Sequence, residues 1–492
     1  MSTMTLLPHQ IDHYAKIQQI LKNTYFYIDG SGMGTGKTPV ACMLSKQLNL
    51  PLIVVAPSSA LFTWVNTSKQ VGNQIYEDLM LTYEGLTSKR GCIPKHKLLT
   101  RTDVDTTTQF TGTEKLKNII KKGVLFIFDE IQKIKNLNKQ NKAIKAIFQV
   151  LTDPEIEHRS KVGLLSGTPF DKKEQVINIL NVTNILNKKK IYDKYIYNSK
   201  HQGVQRLYDI GKILNPEPLD KWIKSHNSKL TKNNGIDYAY YFFIDILKPV
   251  VMSIMNQPEM NAIKDIKNGY YKLNETMEIK YKGALENLQN TMNLNSNLML
   301  GHLIKVLIEG QKAKMVDMAR IARQELMTNI DNKISKVILF ADYNEVIDYL
   351  LNELREFKPL ELTGRINKNI LENNKNLFQQ QDGEYRLLIG NYSVGCITHN
   401  LHDVTGKFPR TMYIMPNFKI NELHQSTGRI YRTGTIGLAK IRFFYGLSGD
   451  LERKILTCLS RKGQVMKEIL KEQHDNGVKF PDEYENEYEY DN

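Results

Sequence analysis

A glycine-rich stretch near the start of the chain has the residue types and spacing of a phosphate-binding loop. Residues 30–38 read GSGMGTGKT, between an aromatic run at 25–28 and an apolar run at 40–44. A strand, a glycine-rich turn and a helix make a cradle for phosphate, because backbone N–H groups turn inward and the helix N-terminus attracts negative charge. Ser31 breaks the strict pattern G-x-x-x-x-G-K-[ST] at its first position. A glycine-rich turn without a ligand is the alternative interpretation.

Two side chains of this stretch predict nucleotide chemistry. Lys37 is expected to reach the β- and γ-phosphates of ATP, and the Thr38 hydroxyl is expected to bind Mg²⁺. Gln10, upstream of the loop, has an amide able to read the adenine edge through paired hydrogen bonds, although alone it would be read as a surface residue. The residues predicted to hold the nucleotide phosphates are Gly32, Met33, Gly34, Thr35, Gly36, Lys37 and Thr38.

A pair of acids ends a buried apolar run and supplies the second half of the predicted site. Residues 123–128 read GVLFIF and precede Asp129 and Glu130. Ligands of open α/β sheets bind at the carboxyl ends of the strands. Asp129 is predicted to hold Mg²⁺ through its water shell, and Glu130 to orient and deprotonate the attacking water. A strand that ends in a solvated acidic turn is the alternative.

Two arginines near the end of the chain complete the set. Arg429 and Arg432 are three residues apart within residues 424–434, HQSTGRIYRTG, so on a helix they would share a face. From a second domain, two guanidinium groups could clamp the γ-phosphate as arginine fingers, which contribute about a thousandfold or more to rate. A basic helix on the surface is the alternative.

The apolar pattern predicts the elements that must position these residues. Continuous apolar runs alternate with helical patterns, which predicts buried strands of parallel sheets. Trp64 is expected in the core, and residues 85–113, polar and threonine-rich, are read as an irregular insertion. Residues 187–245 interleave lysine, tyrosine and asparagine and are read as an exposed helical insertion. The runs read as strands lie at 51–57, 123–128, 161–165, 336–340, 385–390 and 411–416.

Composition limits the class of protein and its partners. The 492 residues allow two or three domains, and 41% hydrophobic and 24% charged residues are ordinary for a globular protein. The net charge is +15, and residues 475–492 carry seven acids and one lysine, so the preceding body carries +21, which favours nucleic acid. Four scattered cysteines argue against a zinc site or a disulfide framework and for an intracellular, reducing compartment: nucleus, cytoplasm, or viral factory or virion. No apolar run reaches membrane-spanning length, so no membrane partner is expected.

With these residues assembled, the chain resembles the superfamily-two helicases, most closely their Swi/Snf-type double-stranded-DNA translocases. The resemblance implies two RecA-like α/β domains that close on ATP and Mg²⁺ and track along nucleic acid. It implies adenine recognition by Gln10, catalysis by Glu130, Arg429 and Arg432, and a place for Gln425 near these arginines. The segments that carry it, in chain order, are residues 6–10, 32–38, 54–64, 129–136, 165–169 and 425–434.

The resemblance also gives domain bounds. Residues 1–186 are predicted to be an N-terminal RecA-like ATP-binding domain, and 301–474 a C-terminal RecA-like helicase domain. Residues 187–300 are predicted to be a helical insertion and linker, and 475–492 an acidic, disordered tail. The short insertions and the lack of a chromatin-reader module suggest a minimal motor, of the sort found in viral, phage or plasmid systems.

Some positions depart from the family pattern. Ile131 and Gln132 replace the usual Ala-His of the acidic motif, which puts its coupling to the DNA side in question. Thr435 stands where the last motif has glutamine. In the preceding motif Gly395 is kept, but Cys396 and Thr398 occupy glycine-rich positions.

The leading hypothesis is an ATP-dependent motor that translocates on nucleic acid, with double-stranded DNA favoured and RNA left open. A strand-separating helicase or a transcription-associated ATPase is the alternative within the same class, because no motif marks an unwinding wedge. A non-catalytic basic scaffold would have lost a lysine, acid or arginine of the site. A P-loop kinase would leave the paired arginines of a second domain unexplained.

Overall fold

The structure, a computed structural model, divides into two compact units. Unit 1 comprises residues 1–257 with 465–477, and unit 2 comprises residues 258–464 with 478–492. The described residues are 4–89, 96–105, 107–185, 216–217, 235–256, 258, 262–273, 275–291, 296–330, 333–380, 383–395, 401–447, 450–470 and 485–488.

Unit 1 is built on a six-stranded sheet in which every pairing is parallel. Its strand order is β3-β2-β6-β7-β1-β8. Strands β1 and β2 are buried along their whole length, as expected for a parallel sheet covered by helices on both faces. The strands of this sheet are β1 (Phe26–Asp29), β2 (Leu52–Val55), β3 (Ile75–Leu81), β6 (Leu125–Asp129), β7 (Lys161–Leu165) and β8 (Met252–Ser253).

The helices of unit 1 follow the strands, as alternation of the two patterns predicts. The α-helices are α1 (Pro8–Asn23), α2 (Lys37–Leu48), α3 (Ser58–Val71), α4 (Tyr83–Thr87), α5 (Glu114–Lys122), α6 (Lys139–Leu151), α7 (Lys173–Val182), α8 (Gly235–Phe242) and α9 (Lys248–Val251). A 3₁₀ turn spans Ile131–Ile134, and a π-helical turn spans Phe243–Leu247.

The threonine-rich stretch of unit 1 is regular, so the prediction of an irregular insertion over residues 85–113 is wrong. Strands β4 (Leu99–Val104) and β5 (Thr107–Gly112) pair antiparallel. Phe110 of β5 is buried, whereas its neighbours Gln109 and Thr111 are exposed. The alternating β-branched residues have the period of a half-buried hairpin, and their polarity led to the wrong interpretation.

Unit 2 contains a second, seven-stranded sheet, again with only parallel pairings. Its order is β13-β14-β12-β15-β16-β9-β17. The strands are β9 (Ala262–Tyr271), β12 (Lys336–Ala341), β13 (Leu360–Leu362), β14 (Leu387–Asn391), β15 (Arg410–Ile414), β16 (Gly437–Gly446) and β17 (Glu485–Tyr488). A separate short pair consists of β10 (Asn329–Ile330) and β11 (Lys333–Ile334).

The helices of unit 2 connect its parallel strands. They are α10 (Glu275–Thr291), α11 (Ser296–Met327), α12 (Asn344–Glu353), α13 (Lys368–Gln379), α14 (Tyr392–Gly395), α15 (Ile420–Thr427) and α16 (Asp450–Ile469), whose last residues belong to unit 1, with a 3₁₀ turn at Arg355–Phe357. Strand β17 lies in the tail predicted to be disordered, so that prediction is wrong for these four residues, which pair with β9.

The α/β fold class predicted from the sequence is confirmed: the chain forms two units, each built on a parallel sheet with helices. The domain bounds stay a prediction. Much of the lysine- and tyrosine-rich insertion, with Cys396 and Thr398, lies outside the described residues, as do residues 475–484 and 489–492 of the tail. Among the helices that the structure describes, none is long and apolar enough to cross a bilayer.

Candidate nucleotide site

The glycine-rich stretch forms the predicted loop between a strand and a helix of unit 1. Strand β1 ends at Asp29, and α2 begins at Lys37. Gly34 and Gly36 have φ angles of 76° and 98°, in the left-handed region that favours glycine. A Cβ atom at Gly36 would lie 2.0 Å from Nε2 of Gln10. Glycine is therefore required at position 36 by both conformation and space.

Lys37 points its ammonium group back over the loop. Its Nζ donates to the carbonyl oxygens of Ser31 at 2.8 Å and of Gly32 at 2.9 Å. Inside the loop, the Thr35 hydroxyl donates to the Gly32 carbonyl at 2.9 Å. Thr38 follows in the first turn of α2 and is half-buried. A cation at a helix N-terminus, above a glycine-rich turn, is the chemistry that binds an anionic phosphate.

Gln10 lies against the loop instead of on the surface. Its side chain is 5% exposed, its Nε2 donates to the Thr35 carbonyl at 3.0 Å, and its Oε1 accepts from the Leu7 backbone N–H at 2.9 Å. The His9 ring nitrogen Nε2 contacts the same Thr35 carbonyl at 3.0 Å. Gln10 thus fixes the loop through its amide, and its role in adenine recognition stays a prediction.

Asp129 lies at the carboxyl end of β6, in the same sheet as the strand that carries the loop. Its Oδ2 accepts a hydrogen bond from the Trp64 indole at 2.9 Å, and its carbonyl accepts one from the Tyr83 hydroxyl at 2.7 Å. Burial, reinforced by the charge of Glu130, raises the pKa of Asp129 to about 6, while the Trp64 bond and Lys37 act in the opposite direction. Trp64 is a core residue, as predicted, and in addition it orients this carboxylate.

Glu130 has a φ of 60°, a left-handed conformation that non-glycine residues rarely adopt. Its carboxylate accepts from Nε2 of Gln132, and Oε1 of Gln132 accepts from the Ser166 hydroxyl at 2.6 Å. The Ser166 hydroxyl oxygen accepts in turn from the Thr168 backbone N–H at 3.0 Å. Gln132, a departure from the family pattern, therefore connects the predicted catalytic acid to the loop after β7.

In unit 2 the predicted arginines do not share a helix, so that part of the prediction is wrong. Helix α15 ends at Thr427 with Gly428 as its C-cap residue, and Arg429 and Arg432 lie in the turns beyond. The Arg429 N–H donates to Ser426 at 3.0 Å, and its carbonyl accepts from the Leu401 N–H at 2.8 Å. Gln425 is buried in the last turn of α15. Both arginines and Gln425 thus lie on one short segment of unit 2, and their catalytic roles stay predictions.

Thr435 holds the backbone at Arg432, and the charge of Arg432 acts on His402, a residue that the sequence did not single out. The Thr435 hydroxyl accepts from the Arg432 N–H at 2.9 Å and donates to the Arg432 carbonyl at 2.6 Å. His402 is 6% exposed, and burial followed by the charges of Arg432 and Arg410 lowers the pKa of His402 to about 4. Burial, then the charge of Arg429, lowers the pKa of Arg432 to about 10, so its guanidinium stays charged at neutral pH.

The residues of unit 1 fit a nucleotide triphosphate with a divalent cation. A lysine and the N-terminus of a 12-residue helix supply positive charge beside glycines whose backbone a side chain would distort. Two adjacent carboxylates, one of them buried with a raised pKa, supply oxygen ligands of the kind that Mg²⁺ prefers. Thr38 and Asp129 are the residues that would hold the cation.

Comparison with known proteins finds similar solved structures. No protein-family model and no curated protein matches the chain. The SWI2/SNF2 ATPase core of Sulfolobus solfataricus in complex with dsDNA is similar, at 17% identity and a TM-score of 0.32, over 96% of this chain and 94% of that one. The same organism's SWI2/SNF2 ATPase core domain is similar over 95% and 90%, at 17% identity and a TM-score of 0.32. At this identity and score, assignment of function rests on the chain's own residues.

Proposed function

We propose that this chain is a nucleic-acid-dependent ATPase that uses ATP to translocate on DNA, double-stranded DNA foremost. The observation that carries the proposal is the placement of the phosphate loop, Asp129, Glu130 and Ser166 after strands β1, β6 and β7, at the carboxyl edge of a single parallel sheet. The charge of +21 on the body preceding the acidic tail supports a polyanionic partner.

Each residue then has a proposed task. Lys37 and the loop N–H groups bind the β- and γ-phosphates, and Thr38 and Asp129 hold Mg²⁺, which would neutralise charge developing on the phosphates. Glu130, fixed by Gln132, accepts a proton from the attacking water. Arg429 and Arg432 act on the transferring phosphate, a role that the motif resemblance supports.

The first experiment measures ATP turnover with and without duplex DNA in the wild type and in Lys37→Ala. The variant should lose roughly 10- to 100-fold in kcat/KM for each phosphate contact, because a charged hydrogen bond contributes about 1.5–3 kcal/mol. Lys46→Ala is the matched control, since Lys46 lies on the same helix, is exposed, and donates from its Nζ to the Val71 carbonyl at 2.8 Å. An unchanged rate of ATP turnover in Lys37→Ala, or a wild-type rate that DNA does not raise, would contradict the proposal.

A second experiment separates the two kinds of motor. Duplex translocation predicts displacement of the third strand of a triplex, whereas a strand-separating helicase also displaces one strand of the duplex itself. Stimulation by single-stranded DNA, duplex DNA and RNA is compared at several salt concentrations. Affinity for duplex DNA should fall with salt at a log–log slope of about −0.9 per phosphate neutralised.

A further inference from the structure

A buried polar cluster lies beneath the phosphate loop and involves no residue with a proposed role in catalysis. His13 of α1 contacts Oδ2 of Asp29 through Nε2 at 3.0 Å and the Ser253 hydroxyl through Nδ1 at 2.8 Å. The three side chains lie in residues that are 3%, 1% and 0% exposed. Asp29 ends the strand that leads into the loop, and Ser253 lies in β8, the neighbouring strand. The cluster therefore joins α1, the loop and β8.

Ser31, the residue that breaks the loop's consensus, belongs to the same cluster. Its backbone N–H donates to Oδ1 of Asp29 at 2.9 Å, and its hydroxyl accepts from the Met255 N–H at 2.8 Å. The Gly30 N–H donates to the Ser253 carbonyl at 3.0 Å. A glycine at position 31 would remove the acceptor of the Met255 N–H. The departure from the consensus thus has a structural reason, because the hydroxyl ties the loop to residues 253–255.

The protonation of the cluster follows from its bonds. Burial by itself would raise the pKa of Asp29, but His13, Lys37 and Ser31 together bring it below its usual value, so the carboxylate is ionised at neutral pH. A carboxylate only accepts, so Nε2 of His13 donates to Asp29. Asp29 also accepts from the Ser31 backbone N–H. A movement of His13 or of Ser31 therefore changes the hydrogen bond that Asp29 makes with the other of these two residues.

The same three residue types form the serine hydrolase triad, and burial excludes that function here. Ser253 is 0% exposed and its hydroxyl is bonded to a ring that is itself buried, so no substrate carbonyl reaches it. Residues 252–255, which we call the connecting segment, precede unit 2 in the chain, where β9 begins at Ala262. Within unit 2, the Nζ of Lys264 in β9 lies 5.0 Å from the centroid of the Tyr431 ring. In the sequence, Tyr431 lies between Arg429 and Arg432, the two predicted arginine fingers.

We propose that His13, Asp29, Ser31 and Ser253 are positioning residues which couple the phosphate loop to the connecting segment, so that nucleotide binding changes the restraint on the chain entering unit 2. The proposal rests on the proposed function, because it concerns the same loop. According to this proposal, the four residues determine how strongly nucleic acid stimulates ATP turnover, and they do not take part in ATP binding or in the chemical step.

The principal test is Ser253→Ala, which removes one hydroxyl and leaves the backbone pairing of β8 with β1 in place. Unstimulated kcat and KM for ATP should stay within about twofold of the wild type, since the hydroxyl bonds His13 and no residue of the phosphate loop. Stimulation of turnover by duplex DNA should fall roughly two- to tenfold, the size expected for one buried hydrogen bond. Asp12→Asn, an exposed change on α1 next to His13, is the control and should leave stimulation unchanged.

Hydrogen exchange in the wild type tests the coupling without any variant. Addition of a non-hydrolysable ATP analogue should change exchange of the Met255 amide, because its acceptor belongs to the loop. Unchanged exchange at this amide, or unchanged DNA stimulation in a folded Ser253→Ala, overturns the inference while leaving the ATPase proposal intact. Equal loss of basal and stimulated turnover also overturns it, because the cluster would then serve the phosphate site alone. A wild type without DNA-stimulated turnover refutes the proposed function itself.

Discussion

Replacement of Trp64 by Phe should make Mg²⁺ activation of ATP turnover depend on pH. The change keeps an aromatic ring in the core but removes the indole N–H that donates to Oδ2 of Asp129 at 2.9 Å. A hydrogen bond of about 1.4 kcal/mol to the ionised form corresponds to about one pKa unit. The pKa of Asp129, about 6 in the wild type, would therefore rise to ~7 in the variant.

The size of the effect follows from the ionised fraction of Asp129. At pH 6 the variant should have about fivefold less ionised carboxylate than the wild type, whereas at pH 8 the two should differ by only about a tenth. The Mg²⁺ concentration at half-maximal turnover, measured at both pH values, should show the same ratios.

Tyr83→Phe is the control for this prediction, because its hydroxyl bonds the Asp129 carbonyl and not the carboxylate. That variant should lose stability without a pH-dependent change in Mg²⁺ activation. An equal Mg²⁺ shift at pH 6 and pH 8 in Trp64→Phe, or the same pH-dependent shift in Tyr83→Phe, would refute the reasoning.

Three further predictions concern residues whose contacts only the structure shows. Gln132→Leu breaks the bridge to Glu130 and should lower kcat roughly tenfold with KM for ATP unchanged, as steady-state kinetics would show. His402 is buried and neutral, so the free energy of unfolding should be at its maximum above pH 6.5 and fall toward pH 4, by about 2 kcal/mol at pH 5. In urea unfolding, His402→Gln should reduce this dependence on pH. An unchanged dependence of the unfolding free energy on pH would contradict the prediction. Thr435→Val frees the backbone of Arg432 and should lower DNA-stimulated kcat roughly tenfold. Its effect should not add to that of Arg432→Ala, and full additivity in a double-mutant cycle would argue against a shared role.

The strands of the two sheets could be predicted because buried parallel strands have continuous apolar sequences. The runs at 161–165 and 336–340 became β7 and β12 almost residue for residue. The hairpin of β4 and β5 was missed because threonine is both polar and β-branched. The polarity of the threonines favoured the interpretation as a loop, whereas burial of Phe110 stabilises the two strands. Local propensity could not settle a choice that depended on a contact elsewhere in the fold.

The candidate site shows the same division between local and distant information. The loop, Asp129 and Glu130 could be predicted, because each lies within a few residues of its own strand. The bond from Trp64 to Asp129 spans 65 positions, and nothing in the sequence near Trp64 distinguishes it from an ordinary core tryptophan. The helix considered for Arg429 and Arg432 does not form, since α15 ends at Thr427; glycine at position 428 was the one sequence signal of a helix end before them.

Competition for hydrogen bonds explains why the phosphate loop and the connecting segment should respond together. The Lys37 ammonium has three donors, and two carbonyl oxygens, those of Ser31 and Gly32, already accept from it. The third donor can bind a phosphate oxygen, which is the stronger acceptor because it is charged, so an ammonium group drawn toward a triphosphate weakens its bond to the Ser31 carbonyl. The same Ser31 accepts from Met255 and donates to Asp29. Any adjustment of Ser31 that restores its lost bond must therefore act on residues that lead into unit 2, and a glycine at this position would break that connection.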